Sequence, residues 1–167
     1  MSDTQENLQV AFAGESQANR RYLFFAEQAE KEGYPQIARL FRAVAEAETV
    51  HAHNHFKAMG GIKSISDNLR AAISGEFYEF TKMYPSFIGQ AKSENNEEAE
   101  TSFSWANNVE KIHHSLYQKA LNALEAGQQL KDEPYFICQG CGCTVGSEAP
   151  GECPICGAPR SDFRRVE

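Results

Sequence analysis

Cysteine is missing from the first 133 residues of this 167-residue chain, and all five cysteines fall after Pro134. Before that point proline appears only as Pro35 and Pro85, so little interrupts a helix there. Cationic excess is also absent. A formal charge of −7, with no basic stripe, speaks against nucleic acid as a partner. No apolar run approaches the length of a membrane span, and the first residues lack a basic stretch followed by an apolar one. Together with cysteines held in Cys-x-x-Cys pairs, this leads us to expect a cytoplasmic protein without a membrane partner.

The composition shift marks a boundary. Residues 1–133 read as helix, and residues 134–167 read as a small module too short to bury its own core, so that a metal must hold it. Gly127–Glu133 is the expected hinge. Four helices are expected before it. The first runs from Asp3 to Glu32, opened by Ser2 with Gln5 and closed by Gly33. Pro35 starts the second, which ends at Gly60-Gly61. The third begins near Asp67, with a kink expected at Pro85. The fourth begins after Asn95-Asn96 on an acidic first turn of Glu97, Glu98 and Glu100, and stops at Gly127.

Each helix carries an apolar seam in alternating steps of three and four, and each seam is interrupted by ionisable residues. Glu15 replaces an apolar residue in the first, Glu48, His51 and His55 in the second, Glu76 in the third, Glu110 and His113 in the fourth. A carboxylate on a core stripe is costly unless something pairs with it. Glu and His three apart share one helix face. Two such pairs plus one Glu from each remaining helix form the ligand set of a carboxylate-bridged dimetal site in a four-helix bundle. One Glu-x-x-His alone would read as an ion pair or a satisfied core histidine; the coincidence of four seam positions argues for metal. Oxygen and imidazole donors suit iron or manganese.

The spacing repeats. The two halves of the helical region superpose, with Glu15 matching Glu76 and the Glu48/His51 pair matching Glu110/His113. The repeat breaks where Glu79 corresponds to Ala18. Thr49, His53 and Asn54 fall off the seam and read as surface or flank, and His114 as an exposed histidine.

In the tail, Cys138-x2-Cys141 and Cys153-x2-Cys156 have the spacing of a tetrathiolate site, for which spacing alone leaves iron and zinc equally open. Gly142 and Gly157 follow the second cysteine of each pair. Tyr135, Phe136 and Phe163 are the expected apolar cluster, and Cys143 a spectator thiol.

Several stretches resemble the rubrerythrin family: Phe12-Ala-Gly-Glu-Ser16, Ala47-Glu-Thr-Val-His51, Gly75-Glu-Phe-Tyr-Glu79, Met83-Tyr-Pro85, and the rubredoxin-like Cys153-Pro-Ile-Cys-Gly-Ala-Pro159 with Asp162-Phe163. The resemblance implies an all-α ferritin-like four-helix bundle followed by a rubredoxin-like domain, and iron in both. It carries over Glu15, Glu48, His51, Glu76, Glu79, Glu110 and His113 as ligands of two irons, with Glu48 and Glu110 bridging. Cys138, Cys141, Cys153 and Cys156 would hold a third. Tyr22 and Tyr84 match tyrosines that hydrogen-bond site carboxylates, and His55 matches no assigned role.

The implied activity is reduction of hydrogen peroxide to water in the cytoplasm. Electrons would come from a rubredoxin or an NAD(P)H-dependent reductase through the tail, with Glu79 and His51 exchanging as ligands of one iron. A ferritin-like ferroxidase and a non-catalytic zinc-ribbon adaptor are the alternatives. Finally, the link Gly61–Ser66 is short. Extended, it reaches about 20–22 Å, whereas a ferritin-like return path along the bundle needs about 27 Å. This leads us to expect a homodimer in which helices are swapped between chains.

Overall fold

The computed structural model describes residues 3–166, so the expected cap at Ser2 lies outside the described residues. The chain divides into two compact units, Met1–Lys63 and Ser64–Glu167.

The first unit is a helical hairpin of α1 (Asp3–Lys31) and α2 (Pro35–Ala58). Proline occupies the start of α2, where its missing N–H costs nothing. Gly33 makes the turn at φ +82, a conformation that strains any side-chain-bearing residue. The buried seam is made almost wholly of alanine: Ala18, Ala26, Ala29, Ala38, Ala45 and Ala52. Ala26, Ala38 and Ala45 are 1% exposed or less, which lets the two backbones approach closely and leaves no room for a larger side chain. Asn19 on α1 donates from Nδ2 to the Ala45 carbonyl (2.8 Å) and to Thr49 Oγ1 (2.9 Å). Thr49, expected at the surface, therefore helps to fix helix register. Its hydroxyl also returns to the Ala45 carbonyl, where a carbonyl with two lone pairs serves both donors.

The second unit opens with α3 (Ile65–Tyr78). Its cap is Ser64, whose Oγ accepts from the Asp67 amide, so the helix begins two residues before the expected Asp67. The Ser64 hydroxyl in turn donates to Asp67 Oδ2 at 2.7 Å, so the two side chains hold each other at the helix start. The expected kink at Pro85 takes a different form. Residues Glu79–Met83 wind as a π-helix before α4 (Tyr84–Ser93), and the Tyr84 amide reaches back five residues to the Glu79 carbonyl. Widening one turn keeps carbonyls satisfied near a residue that brings no N–H of its own, where a sharp bend would leave them open.

Asn96 caps α5 (Glu97–Glu125) by accepting from the Ala99 amide at 3.0 Å. Tyr84, Phe87 and Phe103 form an aromatic cluster joining α4 to α5, with ring centroids 5.5–6.3 Å apart. Such contacts add about 0.5–1.5 kcal/mol each beyond their buried area.

The tail is a three-stranded antiparallel sheet in the order β2-β1-β3, from β1 (Tyr135–Cys138), β2 (Thr144–Gly146) and β3 (Phe163–Val166). Its core differs from expectation. Cys138, Cys143 and Cys153 pack with Val109 of α5, and Ile112, Val145, Ile155, Ala158 and Phe163 surround them. Of the expected aromatic trio only Phe163 belongs to this cluster; Val145, Ile155 and Ala158 join it from the tail, and helix α5 adds Val109 and Ile112. Among the described residues no helix is long and apolar enough to cross a membrane.

Candidate metal centres

Glu48 and His51 lie one turn apart on α2, and Glu15 faces them from α1. Their ligand atoms all lie within 4.8 Å of one another. His51 Nδ1 is 2.9 Å from Glu48 Oε2 and 4.0 Å from Glu15 Oε1. The Glu48 side chain is 14% exposed but His51 is 54% exposed, so the imidazole is the loose member of this trio.

The second unit repeats the arrangement with Glu76 on α3 and Glu110 and His113 on α5, again within 4.8 Å. His113 Nδ1 is 2.7 Å from Glu110 Oε2 and 3.8 Å from Glu76 Oε2. Glu76 Oε2 is buried with no hydrogen-bond donor. Burial is the main reason the Glu76 carboxyl is pushed above the usual carboxylate range, and Glu110 raises it further, by its charge and by the option of sharing a proton. Glu79 is raised as well, by burial first and then by Glu76. Tyr84 is pushed up by burial and by Glu110, Glu79 and Glu76 in turn, which keeps its phenol protonated beside the acids.

A buried carboxylate oxygen without a donor, among acids that repel one another, is a place a cation would relieve. The residues fit iron: carboxylate and imidazole donors, with an unpartnered oxygen aimed at the gap between them.

Glu79 stands outside the trio, at the first residue of the π-helix. Tyr22 sits among rings, 6.2 Å from Phe25 and 6.1 Å from Phe41. His55 is half-buried on α2. His114, expected to be exposed, is half-buried, with its ring 5.5 Å from Phe80 and 5.9 Å from Phe77. The two phenylalanines lie on the α3 side of the bundle, and nothing in the period of α5 alone marks their approach.

In the tail, the four sulfurs of Cys138, Cys141, Cys153 and Cys156 lie within 4.8 Å of one another. Cys138 Sγ is 3.6 Å from Cys156 Sγ, and Cys141 Sγ is 3.5 Å from Cys153 Sγ. Each Cys-x-x-Cys bends through a tight turn, closed by Gly142 N–H to the Cys138 carbonyl and Gly157 N–H to the Cys153 carbonyl. Both glycines take positive φ, +83 and +76. Burial pushes the Cys153 thiol up, but the amides of Cys156 and Ile155 outweigh it and bring it down to about 7. Those amides favour the thiolate that a metal requires. Cys143 lies outside the four-sulfur group; it is fully buried, and burial pushes its thiol up to about 12. Four thiolates in tetrahedral reach fit a single iron as well as zinc.

Comparison with known proteins resolves that choice. Residues 6–121 match the family described as Rubrerythrin, and residues 136–164 match its rubredoxin-like domain. The chain is 37% identical to Rubrerythrin-2 of Clostridium acetobutylicum, over 96% of this chain and 95% of that one. It is 39% identical to Rubrerythrin of Porphyromonas gingivalis, covering 99% and 91% of the two chains. Nigerythrin of Nitratidesulfovibrio vulgaris is 34% identical, over 98% and 86%. A solved structure titled as the fully reduced, all-ferrous state of nigerythrin superposes with a TM-score of 0.59 at 34% identity, covering 99% of this chain and 88% of that one.

Proposed function

The chain belongs to the rubrerythrin family, with a ferritin-like diiron bundle and a rubredoxin-like iron site, and from that premise we propose that it is a peroxidase reducing hydrogen peroxide to water. The family is one of oxidoreductases; the substrate is our inference. The observation that carries it is the presence on one chain of two like Glu/Glu/His trios and a four-thiolate group, donor sets that suit a two-electron centre and a one-electron relay. We assign residues 1–133 to the reacting bundle and 134–167 to the relay.

Bound in the bundle, two irons supply two electrons at once and Lewis acidity toward both peroxide oxygens. The chain's own residues do the rest. Glu48 and Glu110 would hold the irons as bridging carboxylates, Glu15 and Glu76 as terminal ones, and His51 and His113 would complete the two halves. Glu79 would serve as the anionic ligand of the oxidised state and His51 as the neutral ligand of the reduced state. An anion follows the higher charge, and a neutral imidazole suffices for the lower one. Tyr84, held protonated, donates its O–H toward the carboxylates and keeps them oriented, and Tyr22 has the equivalent role in the first unit. Cys138, Cys141, Cys153 and Cys156 would hold an iron able to take single electrons from an NAD(P)H-dependent reductase or a rubredoxin and pass them to the bundle.

We further assign each complete site to two chains of a homodimer, Glu15, Glu48 and His51 from one and Glu76, Glu79, Glu110 and His113 from its partner. The short connection between α2 and α3 supports this, as do large apolar residues left open on the hairpin, among them Phe24, Leu40 and Val50.

Complementation tests the assignment. Chains carrying Glu48→Ala and chains carrying Glu110→Ala are each expected to be inactive toward peroxide. Refolded together, they regain activity if sites are shared between chains, because one site of each mixed dimer then keeps every ligand. No recovery, from mixed dimers shown to form, would refute sharing. Peroxidase turnover itself is read as peroxide consumed per NADH with a reductase; a parent protein that consumes none would refute the substrate.

A further inference from the structure

His113 has two ring nitrogens with different company. Nδ1 faces the carboxylates, 2.7 Å from Glu110 Oε2. Nε2 points the other way and lies 2.9 Å from Thr144 Oγ1, a residue 31 positions later at the start of β2. Thr144 Oγ1 is in turn 3.1 Å from the Gly142 carbonyl, to which it donates. A hydroxyl has one proton and a carbonyl can only accept. With that proton directed at Gly142, Oγ1 presents His113 with lone pairs alone. In that arrangement the ring carries its proton on Nε2, and the Nδ1 lone pair, which a carboxylate oxygen 2.7 Å away would otherwise repel, is left for a cation held among the carboxylates.

We propose that Thr144 is a positioning residue that fixes the tautomer and ring plane of His113, so that the tail presents this histidine to the bundle metal with Nδ1 as donor. The chain of contacts ends at Gly142, the residue after the ligand Cys141, in the turn closed onto Cys138. The thiolate turn and the bundle histidine thus share a single hydroxyl. The two repeat-related histidines are consequently unlike. His113 is clamped and 28% exposed, whereas His51 is 54% exposed. A clamped histidine stays with its metal through changes that a loose one does not survive, and the tail supplies the clamp.

The proposal rests on the metal reading of the bundle but not on peroxide as substrate. It is tested on the full-length chain loaded with zinc, a diamagnetic probe, with histidine nitrogens labelled for NMR. The parent is expected to show a slowly exchanging proton on His113 Nε2 and none on Nδ1. In Thr144→Val, which keeps the shape and the strand propensity, that proton is expected to exchange rapidly. Thr144→Ser is expected to restore protection, and the His51 resonances to stay unchanged in both. A cobalt(II) titration of the bundle, followed by visible absorption, is expected to weaken about 10–100-fold in Thr144→Val and to recover in Thr144→Ser. Unchanged exchange and unchanged cobalt affinity in Thr144→Val would overturn the proposal. So would a proton found on Nδ1 in the zinc-loaded parent. A parent whose bundle takes up neither metal would sink the metal reading, and this inference with it, an outcome separable from the others by its metal content alone.

Discussion

The hairpin α1–α2 and the pair α3–α5 present the same three ligand types, yet they are built by different means. The hairpin is zipped by alanines and by the Asn19 side chain, carries Ala18 where its counterpart carries Glu79, and leaves His51 54% exposed within its own chain. The second unit spends a π-helix, an aromatic cluster and a docked metal module on its trio. Its Glu76 oxygen is buried, and its His113 turns one ring nitrogen toward Glu110 and the other toward Thr144. A repeat can thus keep its side-chain types while the two halves hold them through different contacts. The π-helix belongs to this difference. It begins at Glu79, so the extra residue and the extra carboxylate arise at one point in the chain.

Removing a shared carboxylate is expected to have the largest effect. Glu110→Ala should abolish iron in the bundle while the red tetrathiolate chromophore of the tail persists. Metal analysis beside a visible spectrum checks this, and retention of bundle iron would break the equivalence of the two trios. Glu79→Ala should be milder. The reduced bundle should still assemble through His51, while its rate with peroxide falls by about 10–100-fold, the scale on which mutation of residues supporting a metal site acts. Wild-type turnover in that variant would remove the functional reason for the asymmetry.

Smaller again is a packing change confined to the hairpin. Ala38 has no exposed surface, so Ala38→Leu should cost about 1–3 kcal/mol by overpacking. The cost should appear as a lower denaturation midpoint of helical signal, with the tail chromophore unaffected below it. Smallest is Cys143→Ser. Ligation should not change, because Cys143 is outside the sulfur cluster, but a hydroxyl replaces a fully buried thiol. A loss of about 1–2 kcal/mol in tail stability, on the scale of an unsatisfied buried hydroxyl, is expected. Bleaching of the chromophore in the folded variant would show Cys143 to be a ligand.

Much of this was legible in the amino-acid order, for a physical reason. A glutamate on an apolar helical stripe stands out because burial is costly without a partner, and this singles out Glu15, Glu48, Glu76 and Glu110. Cysteine spacing and following glycines mark the four sulfurs in the same local way. Contacts between distant segments leave no such trace. Thr144 meets His113 across 31 residues, and Val109 joins the core of the tail, with no periodicity linking either pair. His114 reads as surface on α5 because Phe77 and Phe80 arrive from another helix. Pro85 signals that helix geometry must change, but proline alone does not choose between a kink and a widened turn; the Tyr84 amide reaching Glu79 does.

The central claim, that two irons in the bundle receive peroxide and that a tail iron restores their electrons, is most directly tested by rapid mixing. Fully reduced protein is mixed anaerobically with hydrogen peroxide, and in parallel with dissolved oxygen, while absorption of both centres is followed. Oxidation of the bundle by peroxide at least about tenfold faster than by oxygen, a difference of about 1.4 kcal/mol in barrier, followed by conversion of the colourless reduced tail to its red oxidised form, is the predicted result. Oxygen reacting as fast as or faster than peroxide, with the tail left reduced, would contradict the account and identify a ferroxidase.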